Sequence, residues 1–477
     1  ISALSTLTNL KELYLRWDTT VSDISVMNSL TGLTWLDIRG LSNVYCSDVD
    51  TVEATLTPAT TVNRDLTCKP SIAITSLTFP DNNLGACVTF QAGSQGLTYA
   101  HEFLNLPCNS STITDLTGLE QLPNLTTLNL YGNSITDISV IANLTSLTTL
   151  HLYVNNISDV SPLAGLTSLT TLLLHNNNII DISALSGLTS LTNLRLSSNA
   201  ITNLTVLSNL TSLTYLDLTS NNVTDISPIA GLTLLETLML SGNSISNIIP
   251  VMNLTALTWL TLNNNATLSD ITPIAALTLM DRLEIGATNV SDLSVLSNLT
   301  ALTWLTASNL NIADISPLSA LTLLEQLFIN NNNISNIASL SGLSSLRTLY
   351  IYQNAITDLS PLASVTSLQT LYLSNNTITD ISPLSNLIAL NTLYLSNNSI
   401  IDLSPLAALS LGGFPIITTL WLDGNITLAI LNPIYGLTSL QTLNLQNISG
   451  TFDCTELGTL QTNLSVVPTV ISVSFGC

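Results

Sequence analysis

Charge is scarce in this sequence. Only 8% of its 477 residues are Asp, Glu, Lys or Arg, against roughly a quarter in an average soluble domain. Cations are scarcer still, with eight Lys and Arg facing thirty Asp and Glu for a formal net charge of -22. Phosphate recognition depends on clustered Lys and Arg, which argues against nucleic acid as a partner. An anionic membrane surface is disfavoured for the same reason. Long apolar runs are missing too. Although 46% of the residues are hydrophobic, Thr, Ser and Asn interrupt every stretch short of the roughly 18 residues of a membrane-spanning helix. No direct membrane insertion is expected in this segment. Histidine is limited to His101, His151 and His175, and HExxH, P-loop, GxSxG and GxGxxG motifs do not occur. Catalysis, a metal and a cofactor are therefore not expected.

What the sequence does have is a period. The first Leu of an L-x-L core falls at Leu128, Leu150, Leu172, Leu194, Leu216, Leu238 and Leu260, always 22 residues apart. It continues at Leu283, Leu305, Leu327, Leu349, Leu371 and Leu393, then at Leu420 and Leu443, with one extra residue before Leu283 and five before Leu420 around SLGGFP. Two further cores lie upstream, at Leu13 and Leu36. In x-L-x-L-x the two leucines share one face of a strand. One strand and one turn cannot bury that face alone, but stacked copies cover each other and pair into a parallel sheet.

Two polar columns complete each unit. Asn recurs five residues after the core Leu, from Asn133, Asn155 and Asn177 through Asn265, Asn332 and Asn425. An inward amide there can satisfy turn backbone that is otherwise buried unpaired. Thr288 and Leu310 break the column, so local irregularity is expected. Asp follows at Asp137, Asp159, Asp181, Asp225, Asp270, Asp292, Asp314, Asp358, Asp380 and Asp402. A carboxylate row spaced about 5 Å by the strands is one way to collect Ca²⁺. Capping of the D-I-S-P-L turn through backbone N–H bonds is the other. Asn replaces Asp at Asn203, Asn247 and Asn336, which favours capping, since Asn caps well and is a poor charged ligand.

The pattern NxITDISPLxxLT on a 22-residue period resembles the leucine-rich repeat family, in the form found in bacterial internalins. The resemblance implies a repeat solenoid of α/β type, a right-handed coil with a parallel sheet on its concave face. Short turns or 3-10 segments would line the convex face, with disulfide-bonded caps at the ends. FPDNNLGACV resembles the N-terminal helical cap of such arrays, a polar cover over the end of the core.

The six cysteines fall in local pairs outside the regular repeats. That organisation favours Cys46–Cys68, Cys87–Cys108 and Cys454–Cys477; buried free thiols are the alternative. Disulfides imply an oxidising compartment, hence an extracellular or cell-surface location. The expected organisation is 1–69, the end of a first array with its cap; 70–112, a connector and N-terminal cap; 113–446, a second array; and 447–477, its C-terminal cap. The opening ISALSTLTNLKEL aligns with the mid-repeat stretch from Ile182 to Leu188, so an upstream segment is expected. N-x-S/T acceptor sites include Asn109, Asn124, Asn143, Asn156, Asn209, Asn222, Asn253, Asn298, Asn333, Asn397 and Asn463. They are glycan sites in a eukaryotic secreted protein, or simply repeat grammar. Asn265 and Asn425 are also sequons, but on the inward column, and are expected to stay bare.

The outward strand positions carry the functional signal. The column between the core leucines places Phe328, Tyr350, Tyr372, Tyr394 and Trp421 on consecutive strands. The following column holds Tyr131, Tyr153 and Tyr352, and the preceding one sets Arg282 between Trp259 and Trp304, close enough for a cation–π sandwich. Stacked rings stabilise neighbouring strands, but that does not explain their confinement to the solvent side. Exposed aromatic strips mark interaction sites. The leading expectation is an extracellular recognition or adhesion protein binding a protein or glycan through this face. The alternative is a structural subunit of a coat, appendage or filament, with copies of itself as partners.

Overall fold

A computed structural model of the chain describes residues 1–18, 20–57, 59–64, 68–410, 417–426, 428, 430–448, 458–460, 462 and 470–472. Two compact units are present, Ile1–Thr149 and Leu150–Cys477.

The first unit contains a three-stranded parallel sheet of Glu12–Tyr14, Trp35–Asp37 and Thr61–Asn63. Leu13, Leu36 and Val62 sit in register across it. Ile24, Met27, Leu30 and Leu36 are fully buried beneath. A helix at Cys46–Thr55 is tied by the Cys46–Cys68 disulfide. A second helix, Asn82–Gln95, starts at Asp81, whose Oδ1 accepts the N–H groups of Asn83 and Leu84 at 2.8 and 3.1 Å. It stops at Gly96, whose φ of +70° is the left-handed conformation that glycine adopts without a Cβ penalty. The other Asp81 oxygen accepts the N–H of Thr114 at 2.8 Å. A Cys87–Cys108 disulfide fastens the same helix beside the strand Asn105–Pro107. Cys454–Cys477 and the sequon Asn463 lie outside the described residues.

The second unit is the repeat made physical. Each coil contributes a three-residue strand, such as Thr348–Tyr350, and most add a short 3-10 turn, such as Ser360–Ser364. Core leucines pair with core leucines along the parallel sheet, Leu327 with Leu349 and Leu349 with Leu371. Within one coil Leu349, Ile351, Ile356, Leu359, Leu362, Val365 and Leu368 are all at most 1% exposed. Full burial of such a side chain stabilises by roughly 1.5–3 kcal/mol, so the aliphatic positions repeat because each coil needs the same seven contacts. The five-residue insertion falls largely on residues 411–416, outside the described residues.

The inward amides hold the turns. Asn243 Nδ2 donates to the Leu218 and Leu240 carbonyls at 3.0 and 2.9 Å, and its Oδ1 accepts the Val223 N–H at 2.9 Å. One side chain thereby satisfies backbone of two successive coils. Asn265 and Asn425 are fully buried in the same role. Where Leu310 interrupts the column, its neighbours cover the gap. Thr288 Oγ1 donates to the Ile285 carbonyl at 2.8 Å and accepts from Val290 N–H at 3.4 Å. Asn332 Nδ2 takes the Ala307 carbonyl at 2.9 Å. The strand register runs through unbroken, and the turn gains a left-handed residue at Asn311, φ +60°.

Candidate binding surface

The strands from Gln326–Phe328 to Thr419–Trp421 each bury a central leucine and leave the two flanking side chains half-buried on the other side of the sheet. Register then decides which of those side chains meet. Phe328 lies opposite Tyr350, Tyr350 opposite Tyr372, Tyr372 opposite Tyr394, and Tyr394 opposite Trp421. The ring centroids are 4.9, 4.1, 4.1 and 5.0 Å apart in that order. Phe328 meets Tyr350 edge-on at 68°, whereas Tyr372 and Tyr394 are within 11° of parallel. Burial pushes the Tyr372 phenol well above its ordinary pKa, helped by hydrogen bonding with Tyr394 and Tyr350. Tyr352 stands beside the row, 6.5 Å from Tyr350.

Trp304 extends the row, its ring 4.9 Å from Phe328. On its other side Arg282 is sandwiched, the guanidinium carbon 3.7 Å from the Trp304 ring centre and 4.5 Å from that of Trp259. Glu284 fixes the cation through Arg282 Nε at 3.2 Å and accepts from Asn263 Nδ2 at 2.8 Å. The half-buried stack therefore runs without a break from Trp259 to Trp421.

A second group lies on the same face, of which the sequence singled out Tyr153. Tyr153 stacks on His175 at 4.2 Å and 12°. Arg195 lies 4.5 Å over the Tyr215 ring, and Tyr215 Oη donates to Met239 Sδ at 3.2 Å. Burial, with Arg195 nearby, holds the His151 imidazole below its usual pKa. Burial and Arg195 do the same at His175 against an opposing pull from Asp217. The contacts of Arg195, Tyr215 and Met239 are diagonal between columns, so no single column of the repeat displays them, whereas Tyr153 and His175 share one column 22 residues apart. Tyr131 belongs to the first unit, half-buried, with its carbonyl accepting the Ser110 N–H at 2.8 Å.

The acidic column is a set of caps. Oδ1 of Asp159, Asp181, Asp225, Asp358 and Asp380 accepts the N–H two residues on at 2.8 Å in every case. Asn203, Asn247 and Asn336 make the same bond at 2.9 Å. Carboxylate and amide are interchangeable here, as a backbone cap requires and a cation site does not. Of the acceptor sites, Asn143, Asn156, Asn209, Asn222, Asn253, Asn298, Asn333 and Asn397 are exposed. Asn109 is half-buried, and Asn124 donates to the His101 carbonyl at 2.8 Å.

In the first unit His101 is buried, stacked 3.8 Å from Tyr45, with Ser47 Oγ at 3.2 Å and Asp48 Oδ1 at 3.3 Å. Both partners reach the same nitrogen, Nε2. A hydrolytic relay needs the acid on the opposite nitrogen from the nucleophile, so this trio is packing rather than a triad.

Comparison with known proteins agrees with the geometry. The family profile described as Leucine Rich repeats (2 copies) matches residues 123–165, 145–187, 167–209, 211–251, 322–364 and 366–408. An internalin (inlF) of Listeria monocytogenes str. 4b F2365 is 31% identical, with 78% of this chain and 97% of that one covered at a TM-score of 0.53. A leucine-rich repeat protein of Leptospira interrogans aligns at TM-score 0.60 and 20% identity over 98% and 97% of the two chains. The functional domain of InlJ from Listeria monocytogenes aligns at 0.58 and 22% identity over 79% and 82%. No curated protein matches the sequence.

Proposed function

The chain belongs to the leucine-rich repeat family in its internalin-like class, and from that premise we propose that it is a recognition protein working at a cell surface or outside the cell. The observation that carries this reading is the half-exposed aromatic stack from Trp259 to Trp421 on the solvent side of the sheet. The core does not need these rings, because the leucines between them already fill it. Tyr and Trp supply large contact area at low cost in side-chain freedom and dominate binding hot spots. The two disulfides fit an oxidising compartment.

Ring orientation bears on the partner. Tyr350, Tyr372 and Tyr394 cover one another's faces at 4.1 Å, so they present edges and hydroxyls outward. A sugar stacks on an exposed ring face, whereas a protein loop or helix packs against edges and hydrogen-bonds to phenols. A protein partner is the better fit, and the acidic chain suits one that is neutral or basic. The test is a screen of extracellular proteins and glycans with the wild type and the Tyr350→Ala/Tyr372→Ala/Trp421→Ala variant. The expected result is protein binding by the wild type that falls at least 100-fold in the variant; hits bound equally by both would retire this face.

A further inference from the structure

A second, independent surface lies on the flank of the same unit, where the repeat carries a period of two coils. The sequence reads L-T-L-L-E over 232–236, L-T-L-M-D over 277–281 and L-T-L-L-E over 321–325, with L-T-A-L-T between them at 254–258 and 299–303. The third letter is Ser in other coils, as at Ser146, Ser168 and Ser367. Here it is Leu234, Leu279 and Leu323, which are 55, 60 and 53% exposed. The adjacent Leu232 and Leu235 are fully buried, so the core is complete without these three. Two residues after each stands an exposed carboxylate, Glu236, Asp281 or Glu325. Ala256 and Ala301 on the intervening coils are half-buried and lower the relief between the leucines.

The flank thus offers three apolar–acidic pairs, one every second coil, or about 10 Å from the spacing of neighbouring strands. Glu325 pairs with the Arg347 guanidinium at 3.9 Å, both side chains half-exposed, a pairing of little strength in water. Among the described residues Glu236 and Asp281 form no ion pair. An α-helix advances about 10.5 Å in seven residues. A helix with one apolar and one basic side chain per heptad therefore meets all three pairs in step. A second copy of this chain, at net charge -22, brings the wrong sign. We propose that the flank from Leu234 to Glu325 is a docking site for a basic amphipathic helix lying across the coils, distinct from the aromatic face.

The probe is a labelled synthetic peptide of three heptads, with Leu and Lys once per heptad in an Ala/Gln background, titrated by fluorescence anisotropy against the full chain. A peptide of identical composition and scrambled spacing is the control. The in-phase peptide is expected to bind at least tenfold more tightly than the scrambled one. Leu234→Ser/Leu279→Ser/Leu323→Ser and Glu236→Gln/Asp281→Asn/Glu325→Gln are each expected to lose at least tenfold, with unchanged melting temperature. Should the triple serine variant melt early, Leu279→Ser alone is expected to lose about threefold. Absence of binding, equal affinity for both peptides, or undiminished binding by the serine variant overturns the proposal. Tighter binding of a Lys/Pro repeat, which advances about 9.3 Å per turn, overturns the assignment to a helix.

Discussion

Tyr372 and Tyr394, separated by 22 residues in sequence, stack with their centroids 4.1 Å apart and their planes 11° from parallel. That contact exists only because Leu371 and Leu393 pair in register beneath it. A stacked pair adds roughly 0.5–1.5 kcal/mol beyond its area burial, so the row is rigid before any partner arrives.

The Tyr372 phenol titrates abnormally late. Its pKa is raised in the folded chain, so its contribution is complete below the unfolded value near 10 and is lost as pH climbs through the folded one. The stability of the wild type is expected to fall more steeply above pH 10 than that of Tyr372→Phe. Absorbance titration at 295 nm should show one late-ionising tyrosine missing from the variant. Parallel curves for the two proteins would dissociate this phenol from the stack.

Acid acts in the opposite sense through the turn caps. Backbone and hydroxyl hydrogen bonds from Ser161, Ser227, Ser316 and Ser360 hold Asp159, Asp225, Asp314 and Asp358 below their ordinary pKa. Their contribution is present above the unfolded value near 3.9 and disappears as pH falls through the lower folded values. Melting temperature should drop sharply below about pH 4. At pH 7, Asp225→Ala is expected to melt earlier than Asp225→Asn, which keeps the cap. A Ca²⁺-dependent rise in melting temperature abolished by Asp225→Asn would restore the metal reading.

The inward amides should be costly to remove. Asn243→Ala leaves the Val223 N–H unpaired and removes one of two amide donors at the Leu218 and Leu240 carbonyls, which Asn221 and Asn265 also serve. A loss of about 1–3 kcal/mol in urea denaturation is expected for the buried group left unsatisfied. Thr288→Val, which removes the hydroxyl standing in beside Leu310, should cost about 1–2 kcal/mol. Losses below 0.5 kcal/mol at both positions would mean that the turns do not rely on the column.

Much of this was legible in the sequence. The period placed the core leucines from Leu128 to Leu443, the Asn column and the aromatic row, and it put Arg282 between two tryptophans; it missed Leu106, which pairs with Leu128 one period earlier. A strict repeat turns spacing into proximity. The Arg195–Tyr215–Met239 group was not legible, because it runs diagonally across columns and depends on side-chain rotamers. Nor was the repair around Leu310, where groups on neighbouring coils exchange partners. The helix Cys46–Thr55 lies where the repeat has decayed, leaving no period to read.

One position in the repeat is strained. The residue four past the core leucine is left-handed throughout, as at Asn176 (φ 55°), Gly242 (φ 68°) and Asn375 (φ 57°), and Val154 adopts it at φ 55°. A side chain in that region costs roughly 1–2 kcal/mol, less for Asn and least for Gly. Val154 is 47% exposed, so little packing is forfeited by replacing it. Val154→Asn is expected to stabilise by about 1 kcal/mol in urea denaturation, and a destabilised variant would refute the strain.

The central claim is that the aromatic row is where a partner docks. Hydroxyl-radical footprinting, read by mass spectrometry on the wild type with and without the strongest protein binder from the surface screen, tests it most directly. Protection of Phe328, Tyr350, Tyr372, Tyr394 and Trp421, with Tyr14 and Trp17 unchanged, is the expected result. Bound protein with these five rings oxidised as fast as in the free chain would contradict it.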